Sequence, residues 1–295
     1  MTAPAPPLLA APIPELVRLR DEAFDLANPT AYHLYALAAP GRLRVAVLDA
    51  ARHKVVALDD QPLSHPADLP VLAATHELLG RPGWARVRLG LGTRAFTLLP
   101  APLFRLGDEA AYLAPHHTLG PTEVALACPL PQAAPATDVV ALFAADAGLA
   151  QWLHDTFGPA ARLLPQPAAL LAGWLQQRGP AAPARQLYLS LADQELTALV
   201  LGSRLEFCNV FAVSTPEDVV YFTILVMQQL GLSPDQDPVT IWGELTGDSA
   251  VFTLLSTYVR HLRLGARPFG LHYTYRLNDV PAHRHFDLFS LALAD

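Results

Sequence analysis

The sequence predicts an α/β protein of two lobes, each organised around a β-β-β-α-β-α unit. Three observations carry that expectation. Residues 186–263 hold three short apolar runs, a long amphipathic run, a fourth apolar run and a last helical stretch. Residues 32–177 follow a comparable order and also open with three apolar runs that feed a helix. At 295 residues, the chain is longer than one ordinary hydrophobic core supports.

Residues 1–14 contain Ala, Pro and Leu but no Lys or Arg, so they lack the charged start of a signal peptide and read as an arm. Residues 14–27 mix Leu16, Val17, Leu19, Phe24 and Leu26 with charges and read as a short helix or an irregular lead-in. Runs 32–38, 43–48 and 54–58 form a meander, broken by Pro40-Gly41 and by 50–53. Residues 68–79 carry helical spacing up to Gly80. Residues 85–91 and 94–99 form a hairpin-like pair around Gly92-Thr93. A turn at 103–107 and strands at 122–128 and 139–144 follow. Then come a helix at 147–157, a short strand at 162–164 and a helix at 167–177. Residues 179–183 are small and Pro-rich and make the linker. Strands at 187–191, 196–201 and 205–213 open the second unit. A helix follows at 216–230, where Ser214-Thr215-Pro216-Glu217-Asp218 places hydroxyls before Pro and acids in the first turn. Residues 239–242 are a strand and 249–263 a last helix. The divisions are an arm and lead-in at 1–27, a first lobe at 28–180 and a second lobe at 184–295.

Composition narrows the function. Hydrophobic residues make up 52% and charged residues 16%, which argues against disorder. A net charge of −7 without a basic block disfavours nucleic acid as a partner. Cys128 and Cys208 lie far apart in apolar strands, in no metal-like spacing, which suits a reducing cytoplasm and a core role rather than reactivity. No apolar run reaches the ~20 residues of a transmembrane segment.

Two meander-helix units describe the actin-like ATPase architecture, with its ribonuclease-H-like lobes. Particular residues extend the likeness: Pro216-Glu217-Asp218-Val219-Val220-Tyr221-Phe222, Gln229-Leu230-Gly231-Leu232, Trp242-Gly243-Glu244-Leu245, Phe96-Thr97-Leu98-Leu99-Pro100, and the ending His283-Arg284-His285-Phe286-Asp287-Leu288-Phe289-Ser290. From about Tyr32 to the end, the chain resembles an uncharacterised bacterial family, domain of unknown function 3822. The resemblance implies an actin-like ATPase fold, similar to pilus-assembly actin-like proteins, and implies no activity.

An actin-like ATPase would hold phosphate on two strand-turn-strand loops, where Gly admits backbone N–H groups and an Asp positions Mg²⁺ through water. The first loop would be Ala38-Ala39-Pro40-Gly41-Arg42, with one Gly, no Asp, and a Pro that removes a donor. The second, Leu191-Ala192-Asp193-Gln194-Glu195, has Asp193 and no Gly, and reads best as an acidic hairpin turn. The adenosine-side loop, 242–247, keeps Gly243 and Gly247, which fit a turn after a strand. Asp193, Gly243 and Gly247 are therefore the candidate cofactor-binding residues if ATP with Mg binds.

Other chemistry has less support. Gly90-Leu91-Gly92-Thr93 lacks a following Gly-Lys-Ser/Thr and reads as a hairpin turn. His283, His285 and Asp287 alternate, so on a strand they would share a face and could hold Zn²⁺ or Mn²⁺ in a small hydrolase. The apolar Phe286, Leu288 and Phe289 favour a docking tail instead. No serine stands in a Gly-x-Ser-x-Gly turn, and Ser190, Ser214 and Ser249 lie at element ends. The expected function is a non-catalytic, pseudo-ATPase scaffold or interaction module with a protein partner and no cofactor, in the cytoplasm. The alternative is a nucleotide-binding ATPase with divergent phosphate loops.

Overall fold

The computed structural model describes residues 17–130, 138–177, 185–192 and 194–294. They fall into two compact units. The first holds the described residues up to Gln177, then Pro268–Val280 and everything from Asp287 onward; the second holds 185–267 and Pro281–Phe286.

In the first unit, β1 (Val17–Arg20), β2 (Tyr32–Ala39), β3 (Gly41–Asp49), β4 (Lys54–Leu63), β5 (Arg86–Leu91) and β9 (Arg162–Pro165) form one sheet in the order β1-β4-β3-β2-β5-β9. The meander β2-β3-β4 is antiparallel, and β5 and β9 then add in parallel. The turn between β2 and β3 is two residues long, closing on the pair Ala39 and Arg42. Pro40 fixes its own φ and Gly41 takes φ 90°, the pattern of a type II turn. Central strands are covered on both faces, so β2 reads as an almost unbroken apolar run. Helices α1 (Leu69–Ala73), α3 (Ala147–Phe157) and α4 (Gln166–Gln177) also belong to this unit, and Trp174 of α4 is fully buried. A separate antiparallel sheet, β6-β8-β7, is made of β6 (Phe96–Pro100), β7 (Glu123–Pro129) and β8 (Val139–Asp146), and α2 (Glu109–Leu113) packs on it.

The second unit repeats the central order. Its sheet runs β12-β11-β10-β13-β14, from β10 (Gln186–Ala192), β11 (Glu195–Leu201), β12 (Leu205–Ala212), β13 (Val239–Gly243) and β14 (Leu262–Leu264). In both units the first strand of the meander, β2 or β10, pairs antiparallel with the next strand and parallel with the strand that follows the meander, β5 or β13. The duplication expected from the sequence is therefore one of topology. Helix α5 (Pro216–Gln229) starts where expected: Thr215 accepts from the Asp218 amide, and Asp218 accepts in return from the Thr215 amide at 3.0 Å. Its inner face, with Val219, Val226 and Met227, joins Leu189, Leu196 and Ile241 of the sheet and Leu255 of α6 (Ala250–Tyr258) in the core.

Four expectations need correction. The lead-in is the edge strand β1, antiparallel to β4. Residues 85–91 and 94–99 are no hairpin, because β5 pairs with β2 and β9 while β6 pairs with β8 in the other sheet. The helix expected over 68–79 ends at Ala73, where the His76 imidazole accepts from the Leu78 and Leu79 amides and turns the chain. The helix expected over 249–263 is capped by Ser249 and ends at Tyr258. Residues 262–264 instead form β14, parallel to β13.

The boundary at 184–295 also differs from the observed division, because the C-terminal residues return to the first unit. There β15 (His272–Tyr273) pairs parallel with β4. Asp287, in α7 (Phe286–Ser290), lies 3.0 Å from the Arg44 guanidinium and accepts from Gln166 Nε2 at 2.6 Å. All three side chains are buried. Arg88 donates to the Leu291 carbonyl at 2.8 Å. The linker read at 179–183 lies outside the described residues.

Removing Asp287 takes a charged partner from Arg44 and a hydrogen-bond acceptor from Gln166 in a medium that solvates both poorly. Asp287→Ala is therefore expected to lower unfolding free energy by ~3–5 kcal/mol, measured by urea denaturation. A double substitution Arg44→Met, Asp287→Leu is expected to recover much of that loss.

Candidate functional site

Each strand-turn-strand loop expected to face a nucleotide has a local structural account. At the β2–β3 turn, Arg42 is buried and binds Asp60 through both Nε and Nη2, the first at 2.6 Å. The only charged side chain of that loop thus points into the protein. At the β10–β11 turn, Asp193 lies outside the described residues. The ladder closes on Ala192 and Glu195, and Gln194 takes the left-handed position, φ 64°. The Gln194 carbonyl accepts from the Val213 amide at 2.9 Å.

Gly243 ends β13 with φ 122°, a conformation that L side chains rarely adopt. A Cβ there would run into the Leu191 carbonyl oxygen. Its N–H donates to the His283 carbonyl at 2.9 Å, and the next amide, Glu244, donates to Leu191 O at 3.0 Å. Close approach of β13 to the end of β10 therefore accounts for this glycine. Gly247 is exposed, and a Cβ there would find only a Leu264 methyl at 4.0 Å. Packing does not require it. Trp242, between the strands, stacks on Tyr188 and donates Nε1–H to Ala266 O at 2.8 Å. In the other unit, a Cβ on Gly92 would meet the Ala39 Cβ at 2.7 Å. Close strand packing thus accounts for that glycine, in place of the expected hairpin turn.

The alternating His283, His285 and Asp287 do not lie on a strand. His285 has φ 56°, and α7 begins at the next residue. His283 donates from Nε2 to Leu245 O at 2.6 Å, and Asp287 faces Arg44 and Gln166. Among the described residues, no three His, Cys, Asp or Glu side chains are placed to hold a metal ion. Burial pushes the Cys128 thiol up to about 11 and the Cys208 thiol up to about 12, so both stay protonated near neutral pH.

Sequence reasoning missed a groove on the outer side of α5 and α6. It encloses about 430 Å³ and is lined by Val220, Tyr221, Ile224, Leu225, Leu254 and Tyr258. Glu217 stands at the first turn of α5 and Gln228 at its last. Tyr221 is 62% exposed and Tyr258 55%, so two aromatic rings flank the groove in contact with solvent. A signal was present, because residues 219–227 are apolar apart from Thr223. Such a run leaves α5 apolar on more than its core-facing stripe.

These features define the class of protein: the chain has the actin-like ATPase fold. Over 92% of this chain and 99% of the other, it is similar to a protein of unknown function with that fold from Bacteroides thetaiotaomicron, with 18% identity and a TM-score of 0.76. It is also similar to a chain of a PilM-PilN type IV pilus biogenesis complex, with 16% identity, coverage of 90% and 98%, and a TM-score of 0.56. The chain belongs to the family described as protein of unknown function (DUF3822), which matches residues 21–262. That match ends before the His283–Ser290 motif. No curated protein matches the chain. Among the described residues, no helix is long and apolar enough to cross a membrane.

The two loop glycines separate packing from ligand roles. Gly243→Ala is expected to cost ~1–3 kcal/mol through backbone strain alone, whereas Gly247→Ala stays within about 0.5 kcal/mol of the parent; thermal and urea unfolding without added ligand check both. The thiols give a second expectation. At pH 8 in the native protein, iodoacetamide should label Cys128 and Cys208 far more slowly than in denaturant, since at a pKa of about 11 roughly one Cys128 in a thousand is thiolate.

Proposed function

We propose that the chain is a non-catalytic, actin-like scaffold that docks an amphipathic helix of a partner protein along α5 and α6. The α5–α6 groove is the observation that carries this reading. Glu217 to Gln228 spans about 17 Å of helix axis, room for two to three turns of a partner. Apolar residues at i, i+3 and i+4 of such a helix would cover Val220, Ile224 and Leu254, and a Lys or Arg at one end would meet the exposed Glu217. The PilM-PilN structure supports the reading by analogy, as a protein of this fold in a complex.

The non-catalytic part rests on the loops. A phosphate cradle needs backbone amides left open by glycine. The first turn has Pro40 and directs Arg42 to Asp60; the described residues of the second contain no glycine; Gly243 is fixed by its approach to Leu191. These residues do not fit the usual phosphate cradle, so no step is assigned to a nucleotide. Two thiols held protonated suit work in the reducing cytoplasm.

Two measurements test the reading. The melting temperature is expected to stay unchanged in millimolar ATP with Mg²⁺; a concentration-dependent rise would show a ligand bound by the folded state and overturn the non-catalytic part. In affinity capture, a partner held by the parent protein is expected to be lost from a variant of the exposed Tyr221, Tyr221→Glu, with an unaltered melting temperature. Equal capture by both would remove the groove from the proposal.

A further inference from the structure

A buried histidine holds the corner between α1 and β5. His76 Nδ1 accepts from the Leu78 amide at 3.2 Å and from the Leu79 amide at 3.3 Å. A backbone amide can only donate, so Nδ1 keeps its lone pair and the ring proton sits on Nε2. Nε2 has no hydrogen-bond partner and faces Asp59 Oδ2 across 3.5 Å. That carboxylate is engaged by Arg20, through Nη1 at 2.5 Å and Nη2 at 2.9 Å. The corner is apolar inside: Leu78, Leu79 and Trp84 are buried, and Trp84 donates Nε1–H to the Leu78 carbonyl at 3.2 Å.

Protonation would undo this arrangement. An imidazolium donates from both nitrogens, so Nδ1–H would point at two amides that have lost their acceptor. The charges around the ring do not compensate. Burial acts most strongly and disfavours the cation; Asp59 of β4 favours it, Arg18 and Arg20 of β1 disfavour it, and the exposed Glu77 favours it. The net effect holds the ring below the ordinary imidazole range while the corner is closed. In an open corner the ring meets water and regains its ordinary value, about 6.5. The open form therefore binds the extra proton. Closure is fully stabilised above about pH 6.5, and weakens as pH falls from there through the closed form's lower value.

We propose that His76 is an acid-sensitive clasp: the neutral ring holds residues 76–84 closed, and its protonation releases them and bares Leu78, Leu79 and Trp84. The opening is local. Both amides that the ring holds lie within three residues of it, whereas β4 and β5 on either side are held by their sheet partners. Titration of one histidine would then expose apolar surface on the first unit and leave its sheet folded.

Amide hydrogen exchange of the full chain, followed by NMR between about pH 5 and pH 8, tests the clasp on both sides of the imidazole range. The parent is compared with His76→Asn, whose Oδ1 can accept from the same two amides without titrating, and with His76→Ala. In the parent, protection of the Leu78 and Leu79 amides, corrected for the intrinsic pH dependence of exchange, is expected to fall by up to about tenfold per pH unit below pH 6.5. Val45 and Ala46 of β3 are expected to keep theirs. His76→Asn should hold its protection across the range, and His76→Ala should lack it throughout. Equal pH profiles in the parent and His76→Asn would overturn the proposal. So would an equal loss at Val45 and Ala46, which marks global unfolding. The ring ¹⁵N shifts of the parent give a check that needs no variant: above the imidazole range Nδ1 is expected to be bare and Nε2 protonated, and the opposite tautomer would remove the clasp.

Discussion

The fold depends on one constraint: in each unit the strand that follows the meander, β5 or β13, must lie parallel and tight against the meander's first strand, β2 or β10. A parallel neighbour cannot be reached by a hairpin, so the chain has to leave the sheet and return through a crossover. In the second unit α5 makes that crossing, and β13 then meets β10 from Leu187–Val239 to Leu191–Gly243. In the first unit β5 meets β2 in the same sense, ending at Ala38–Leu91. Just past each last pair, an amide donates to the carbonyl of the first strand: Gly92 to Ala38 at 2.8 Å, and Glu244 to Leu191 at 3.0 Å. Gly92 and Gly243 are needed there because a Cβ on either would strike the meander's first strand, at Ala39 and at Leu191. Gly92 and Gly243, two of the glycines that resemble a nucleotide signature, are thus required by strand packing, whereas Gly247 is not.

Buried charge supplies a second layer of specification. The fragment Arg42-Leu43-Arg44 looks like a minor basic patch in the sequence, yet both arginines are buried and each has a carboxylate, Asp60 for Arg42 and Asp287 for Arg44. Nearby, Asp59 is buried and accepts from Arg20 of β1 at 2.5 Å. Such pairs do little for net stability, since desolvation offsets their attraction, but a wrong register would leave each charge buried alone. They fix which strand lies where. Arg44 and Asp287 are separated by 243 positions, and their pairing helps bring the C-terminal residues back to the first sheet.

The sequence showed those parts of the fold that local physics decides. The two meanders were legible from period and turn residues, and α5 was legible from Thr215, Pro216 and Asp218, because a capping box is a local device. What it hid is non-local. A three-residue strand such as Leu262–Leu264 has too few positions to show alternation, and its partner β13 lies behind a helix. The runs around Gly92-Thr93 look like a hairpin, and only pairing with distant β9 and β8 separates them into two sheets. The His283-x-His285-x-Asp287 pattern presupposed an extended backbone, which the left-handed His285 and the start of α7 rule out. For the candidate site, apolar surplus on α5 was visible, but a groove exists only once α6 lies beside it.

That surplus bears on function more directly than any loop. Val219, Val226 and Met227 already satisfy the core side of α5, and Thr223, also buried, returns its hydroxyl to the Val219 carbonyl at 2.7 Å. Val220 and Ile224 also pack on that core, but together with the exposed Tyr221 and with Leu225 they leave apolar surface along a groove open to water. At the exposed Tyr221, folding stability alone would be served as well by a polar residue, with less tendency to associate. Burial of apolar area contributes ~25 cal/mol per Å² only when something covers it. The proposed partner would supply that cover along the second side of α5, and Gly243 needs no ligand to account for it, because close approach to Leu191 already requires it.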